Sequence, residues 1–266
     1  MITLTKTTLK LGLEKPVKIL HITDVHLTYA NENDTLEHHE LMKQRFNVFY
    51  KPERQTPKEY FEQSIELAKK ENALLVCTGD AIDINTKGNV EAFWKIVKDT
   101  DMMFSPGGHE HQRVCRRTME EPYPYWETVR KEVEKNFAPF NLAFESRIIN
   151  GLNVITADNS LDYFSKETLT AFKKELEKGL PIIVFCHDPL WDPRLLKKEP
   201  YHPNVRLTQE DYATSHEMID LILHHPLVIT TFAGHGHADY EQIIDGKTHY
   251  MTEGLFRGVA RLIEII

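Results

Sequence analysis

Five times along this chain, a short apolar run stops at residues whose side chains ligate metal ions. The runs end in Asp24-Val25-His26, Gly79-Asp80-Ala81-Ile82-Asp83, Gly107-Gly108-His109-Glu110-His111, Cys186-His187-Asp188-Pro189 and Ala233-Gly234-His235-Gly236-His237. Few folds accommodate such a series. In open α/β sheets the loops after the strand C-termini meet in one crevice, so the five clusters are expected to converge there. Asp24 and His26, like His235 and His237, stand two residues apart. In extended backbone that period turns both side chains to one side, so each pair can grip a single site. A lone His at a strand end is usually just a satisfied polar residue, and an isolated D-x-H is a common accident. Five clusters in register with five strands are hard to obtain by chance.

The surrounding pattern alternates strands with helices. Residues 17–23, 73–78 and 102–105 read as strands, and 58–70, 90–98 and 126–135 as helices, which gives mostly parallel βαβ units in the first half. Asn150-Gly151 separates strands over 143–149 and 152–157, a hairpin signal because a type I′ turn needs positive φ at both central residues. Ser165 is a candidate N-cap for a helix to about Lys178. Runs 181–186 and 227–232 read as buried strands around a helix over 209–224, and 240–244, 248–252 and 259–266 as closing strands. The expected fold class is α/β, two packed sheets with helices outside, as one domain over residues 1–266. Residues 31–57 stand apart, being too long and polar for an ordinary βα connection.

Composition removes several classes. With 41% hydrophobic and 27% charged residues and only 12 Gly and 13 Pro, the chain is neither disordered nor of low complexity. Its apolar runs fall far short of the roughly 18 residues a membrane span needs, and the N-terminus lacks the apolar core of a signal peptide. Cysteines at 77, 115 and 186 form no disulfide framework or zinc pattern, which favours a reducing, cytoplasmic setting. The net charge of −8 argues against a broad nucleic-acid surface, although a bound metal can supply positive charge locally. It tilts the expected partner toward a small soluble phosphate ester. No G-x-S-x-G elbow or Walker loop offers a competing chemistry.

Mixed imidazole and carboxylate donors suit Mn, Fe, Zn or Ni, whereas an all-oxygen set would suit Mg or Ca. Asp24, His26, Asp80, His187, His235 and His237 are six donors, about right for two metals sharing a carboxylate. The ordered series DVH, GDAID, GGHEH, CHDP and GHGH, from about Lys18 to His237, resembles the calcineurin-like metallophosphoesterases. Their pattern runs D-x-H, G-D-x-x-D, G-N-H-E, a later His, then G-H-x-H. The resemblance implies a four-layer αββα sandwich of two mixed sheets, with a metal site at strand C-terminal ends. It implies a phosphate mono- or diester hydrolase, in which a hydroxide bridging two divalent cations attacks phosphorus directly. Carried over residue by residue, Asp24, His26 and His237 hold the first cation, His187 and His235 the second, and Asp80 bridges them. His109 matches the phosphate-facing His, Asp83 the acid that orients it, and Glu110 a residue that is usually structural.

One position departs from the pattern. Gly108 stands where the family has an Asn ligand to the second metal, and glycine offers no donor. Three outcomes stand open: water or a side chain such as His111 fills the gap, the second cation binds weakly, or one cation or none is held. A second reading follows, in which a binding or scaffold module keeps the fold while its metal site has decayed.

The remaining features have plainer readings. His38-His39 suits a solvated face, His224-His225 a helix C-terminus, and Asp158-Asn159 a turn. Tyr123-Pro124-Tyr125-Trp126 reads as a pocket wall or core packing, and Cys77 and Cys186 as small apolar residues. Residues 31–57 begin five residues after His26, so they form either a lid over the crevice or a surface excursion. As a lid they would carry a short helix with Leu36, Met42 and Phe46 inward, and Arg45 or Lys43 would reach an anionic substrate.

Overall fold

The structure, a computed structural model, describes residues 1–113, 125–192 and 207–266, with 125–127 in backbone only. Cys115 and the Tyr123 to Trp126 side chains lie outside the described part. Strands and helices are numbered in chain order. One sheet has the order β1 (Thr3–Leu9), β11 (Val259–Ile265), β2 (Val17–Ile22), β3 (Leu74–Cys77), β4 (Met102–Phe104). The other runs β5 (Phe144–Ile149), β6 (Leu152–Ala157), β7 (Ile182–Phe185), β8 (Val228–Ala233), β10 (Lys247–Met251), β9 (Tyr240–Ile244). Both sheets are mixed: β2, β3 and β4 run parallel, as do β6, β7, β8 and β10, while β11, β5 and β9 each make an antiparallel pairing.

Side-chain alternation builds the layers. Ile19 of β2, Val76 of β3, Ile183 and Phe185 of β7 and Phe232 of β8 pack in a buried layer between the sheets. The opposite faces of β2 and β3, through Leu20, Ile22, Leu75 and Cys77, receive α2 (Pro57–Glu71), α3 (Lys87–Val97) and α4 (Tyr125–Asn136). The outer face of the second sheet receives α5 (Lys166–Leu176) and α6 (Gln209–His224). The result is the expected αββα sandwich. Asn150 and Gly151 have φ of 50° and 83°, as the hairpin reading requires. Ser165 caps α5 by accepting the Thr168 N–H. Among the described residues, no helix is long and apolar enough to cross a membrane.

A polar island interrupts the inter-sheet layer. His21 is fully buried, edge-on to Phe185, with Nδ1 2.8 Å from Thr252 Oγ1 and Nε2 2.9 Å from Thr78 Oγ1. Burial, helped by the Arg261 guanidinium, pushes its pKa down to about 3. In the unfolded chain this imidazole titrates near ~6.5. The unfolded state therefore takes up a proton that the folded state refuses, and stability falls as pH drops from about 6.5 toward about 3. This group alone contributes a slope of about 1.4 kcal/mol per pH unit. Urea titrations across that range should show a shallower slope for His21→Gln than for the wild type; identical slopes would place the acid sensitivity elsewhere.

Candidate metal centre

The five strand ends meet, though not in the crevice of a single open sheet. β2, β3 and β4 present residues 24–26, 80–83 and 107–111 from the first sheet, while β7 and β8 present 187–188 and 235–237 from the second. The donors face one another across the end of the seam between the sheets.

The backbone delivering them also differs from expectation. Asp24, His26, Asp80, His235 and His237 have φ of 51°, 54°, 48°, 67° and 49°, so they are left-handed rather than extended. The i,i+2 pairs converge from tight turns, not from a strand pleat. A non-glycine residue held there costs of order 1–3 kcal/mol, and such strain gathers at functional sites whose surroundings enforce it. Here the loops after β2 and β3 enforce it mutually. The N–H groups of Asp24, His26 and Leu27 donate to the carbonyls of Gly79, Asp80 and Ala81 at 3.0, 2.8 and 3.0 Å.

Asp24, His26, Asp80 and His237 form one donor cluster, each offering an atom within 4.8 Å of the others. His26 Nδ1 lies 3.1 Å from Asp83 Oδ1, which leaves Nε2 facing His237 Nε2 at 3.2 Å. Asp24 Oδ2 accepts from Thr23 Oγ1 and the His235 N–H, but the buried Oδ1 makes no hydrogen bond. That oxygen lies 3.0 Å from His237 Nε2 and 3.8 Å from His26 Nε2.

Asp80 stands between this cluster and the next. Its Oδ1 accepts the His109 N–H at 2.9 Å. Its Oδ2 lies 3.4 Å from His187 Nε2, 3.8 Å from His26 Nε2 and 3.9 Å from His109 Nε2. His187 Nδ1 donates to the Thr78 carbonyl at 2.6 Å, so Nε2 is the ring nitrogen turned toward Asp80, and His235 Nδ1 lies 3.4 Å from it. Burial opposes both charges, yet Asp80 holds His187 well above the usual imidazole range, and His187 with His109 holds Asp80 well below the carboxylate range. His26 also titrates high, at about 9, because the Asp24, Asp83 and Asp80 carboxylates around it outweigh burial.

The family model for calcineurin-like phosphoesterases matches residues 17–239. The chain belongs to that family. No curated protein matches the sequence. Among solved structures the fold is similar to a dimetal phosphatase from Danio rerio, at 13% identity and a TM-score of 0.51, covering 90% of this chain and 88% of that one. It is also similar to the phosphopantetheinyl hydrolase of Mycobacterium tuberculosis, at 13% identity and a TM-score of 0.42, covering 91% and 90%.

As a calcineurin-like phosphoesterase, the chain has residues that fit divalent cations. The donors are mixed imidazole and carboxylate, the outer nitrogens of His26 and His187 are tied to oxygens, and Asp24 Oδ1 is a buried acceptor without a donor. At the departure from the family pattern, Gly108 has φ −65° and ψ −28°, a conformation open to any residue. His111 does not fill the gap. It is buried with Nδ1 3.2 Å from the Gly107 carbonyl oxygen, and it belongs to none of the donor clusters. Asp188, to which the sequence reading gave no role, brings Oδ1 to 3.1 Å from His235 Nδ1.

Two residues of the third loop act structurally. Glu110 accepts the N–H groups of Asp80, Ala81, Ile82 and Gly107 at 2.9, 2.7, 3.1 and 2.6 Å, so one carboxylate binds the second loop to the third. Burial and the Asp80 charge nevertheless push Glu110 up to about 7. Gly107 passes so close to Asp80 that an added Cβ would strike its carboxylate and the His187 ring.

The 31–57 stretch carries α1 (Leu36–Phe49), capped by Thr35, and this helix reaches the site. Phe49 stacks on the His26 ring with centroids 4.0 Å apart. The expected inward set needs correction: Met42 and Phe49 are buried, Phe46 is half-buried against Tyr50, and Leu36 is 85% exposed. The spacing Met42, Arg45, Phe49 at i, i+3 and i+7 was the signal that could have found this face. Lys43 pairs with Glu40 at the surface. Arg45 faces the site but grips Asp83, donating from Nε and Nη2 at 2.6 and 2.9 Å. Asp83 also lies 3.0 Å from His109 Nδ1, whose nearer partner is the Asp83 carbonyl at 2.7 Å. His38 and His39 bond the carbonyls of Arg113 and Asn31 and stay outside the donor clusters.

Proposed function

We propose that this chain hydrolyses a small phosphate mono- or diester with two divalent cations drawn from Mn, Fe, Zn or Ni. The observation that carries the reading is Asp80 Oδ2, placed between three imidazole nitrogens with a donor cluster on either side. In the proposed assignment Asp24, His26 and His237 hold the first cation, His187 and His235 the second, and Asp80 is shared. The cations would supply Lewis acidity to the phosphoryl oxygens and acidify coordinated water. His109, its Nδ1 fixed by the Asp83 carbonyl, turns Nε2 toward Asp80, where it can stabilise phosphoryl charge or give a proton to the leaving oxygen. Pairing of β1 with β11 supports one phosphoesterase domain over residues 1–266. The buried free thiols of Cys77 and Cys186 accord with a cytoplasmic setting.

The binding-module alternative rests on Gly108 alone, whereas the six other donor positions are filled and their side chains come together. Loading with Mn, Fe, Zn or Ni, followed by metal analysis and assays on nitrophenyl phosphate mono- and diesters, tests the proposal. Bound cations and turnover are expected; no uptake and no hydrolysis with any of the four would overturn it.

Loading should also release protons. An imidazole that ligates a cation must be neutral, whereas His26 without one stays charged up to about 9. That raised pKa stabilises the cation-free fold at lower pH and is lost as pH rises through about 9. Mn affinity measured by calorimetry should therefore climb toward that pH, with proton release shrinking in parallel. An affinity independent of pH would contradict ligation by His26.

A further inference from the structure

We propose that Asp188 is a ligand of the second cation and supplies the donor that Gly108 lacks. The inference rests on the two-cation reading and gives it a residue absent from the six-donor set. Asp188 is held in place by its backbone. Asn159 Oδ1 accepts the N–H groups of His187 and Asp188, each at 3.0 Å, and Asn159 Nδ2 donates to the Asp188 carbonyl at 2.8 Å. One side chain thus fixes both residues, and the Asp188 carboxylate, 3% exposed, turns toward His187 and His235.

The decisive atom is His235 Nδ1. It is the nitrogen of that ring that faces His187 Nε2, at 3.4 Å, and it lies 3.1 Å from Asp188 Oδ1. A nitrogen that ligates a cation carries no proton, so it cannot donate to the carboxylate beside it. Its lone pair and a buried anionic oxygen would repel at that distance unless a cation lay between them. The contact is an N–H···O bond in the cation-free chain and shared coordination in the loaded one. Two carboxylates, Asp80 and Asp188, would then face the second cation, and greater ligand charge tightens binding.

The test measures Mn per chain by mass spectrometry and both dissociation constants by calorimetry. It compares the wild type with Asp188→Ala, His187→Ala, and Asp188→Ala combined with Gly108→Asn. We expect two ions in the wild type. Asp188→Ala should keep one tight ion and weaken the other at least about tenfold, as His187→Ala does, and Gly108→Asn should restore it. Two ions of unchanged affinity in Asp188→Ala would overturn the proposal while leaving the two-cation reading intact. A wild type that binds no cation would remove that reading itself. Should Asp188→Ala not fold, Co²⁺-loaded Asp188→Cys decides. A thiolate-to-cobalt charge-transfer band absent from the wild type supports ligation, and no band overturns it.

Discussion

Asp80→Ala should strip both cations from the protein, where Asp24→Ala strips only the first. Asp80 Oδ2 lies 3.4, 3.8 and 3.9 Å from nitrogens of His187, His26 and His109. On the proposed assignment, removing it takes a ligand from each cation and leaves His187 without the anion that holds it charged. Losing a mere hydrogen-bond partner of a ligand typically costs 10–100-fold in affinity, so a doubly shared ligand should cost more than about 100-fold at each site. Hydrolysis should fall by at least the same factor. Metal content per chain after dialysis is the direct measurement, and two retained ions would show that Asp80 is not shared.

Asp83→Asn should damage both the fold and the chemistry. The Asp83 carboxylate, with no exposed surface, takes two hydrogen bonds from Arg45 and one from His26, and it lies beside His109. Breaking a buried ion pair from one side costs about 3–5 kcal/mol, and the lower end applies because Arg45 keeps 20% of its side-chain surface in water. Chemical denaturation should therefore show a loss of about 3 kcal/mol. Hydrolysis should drop about 10–100-fold as His26 loses its tie. The double variant Arg45→Met with Asp83→Asn should recover much of the stability and little of the activity. Equal recovery of both would show that Asp83 acts only through α1.

How far the sequence could be read depended on which signals have a local cause. The strand ends were legible because apolar runs and abrupt Asp or His clusters are contiguous in the chain. β1 was not. In Thr3–Leu9 only Thr7 is buried, so an edge strand with polar faces leaves no alternation to detect. The left-handed backbone of Asp24 and His26 was hidden because Asp and His tolerate that conformation without glycine as a marker. Asp188 sits beside His187 in a strand-end cluster from which the family resemblance takes only the His, and the Asn159 side chain that holds its backbone lies 29 residues away. The same holds for Arg45. Its charge suggested an anionic ligand, and the fold provides one of its own in Asp83.

The donors as a set come from both sheets. His237 crosses from the second sheet to join Asp24, His26 and Asp80, while Asp80 reaches from the first toward His187. The sheets therefore work like the jaws of a caliper, and the thickness of the layer between them fixes the span available to the donors. Phe185 and Phe232, stacked with centroids 5.2 Å apart, lie in that layer beside Ile183. A change in volume there would move donors it never touches, so the apolar interior serves as a length standard for the spacing of the side chains at its rim.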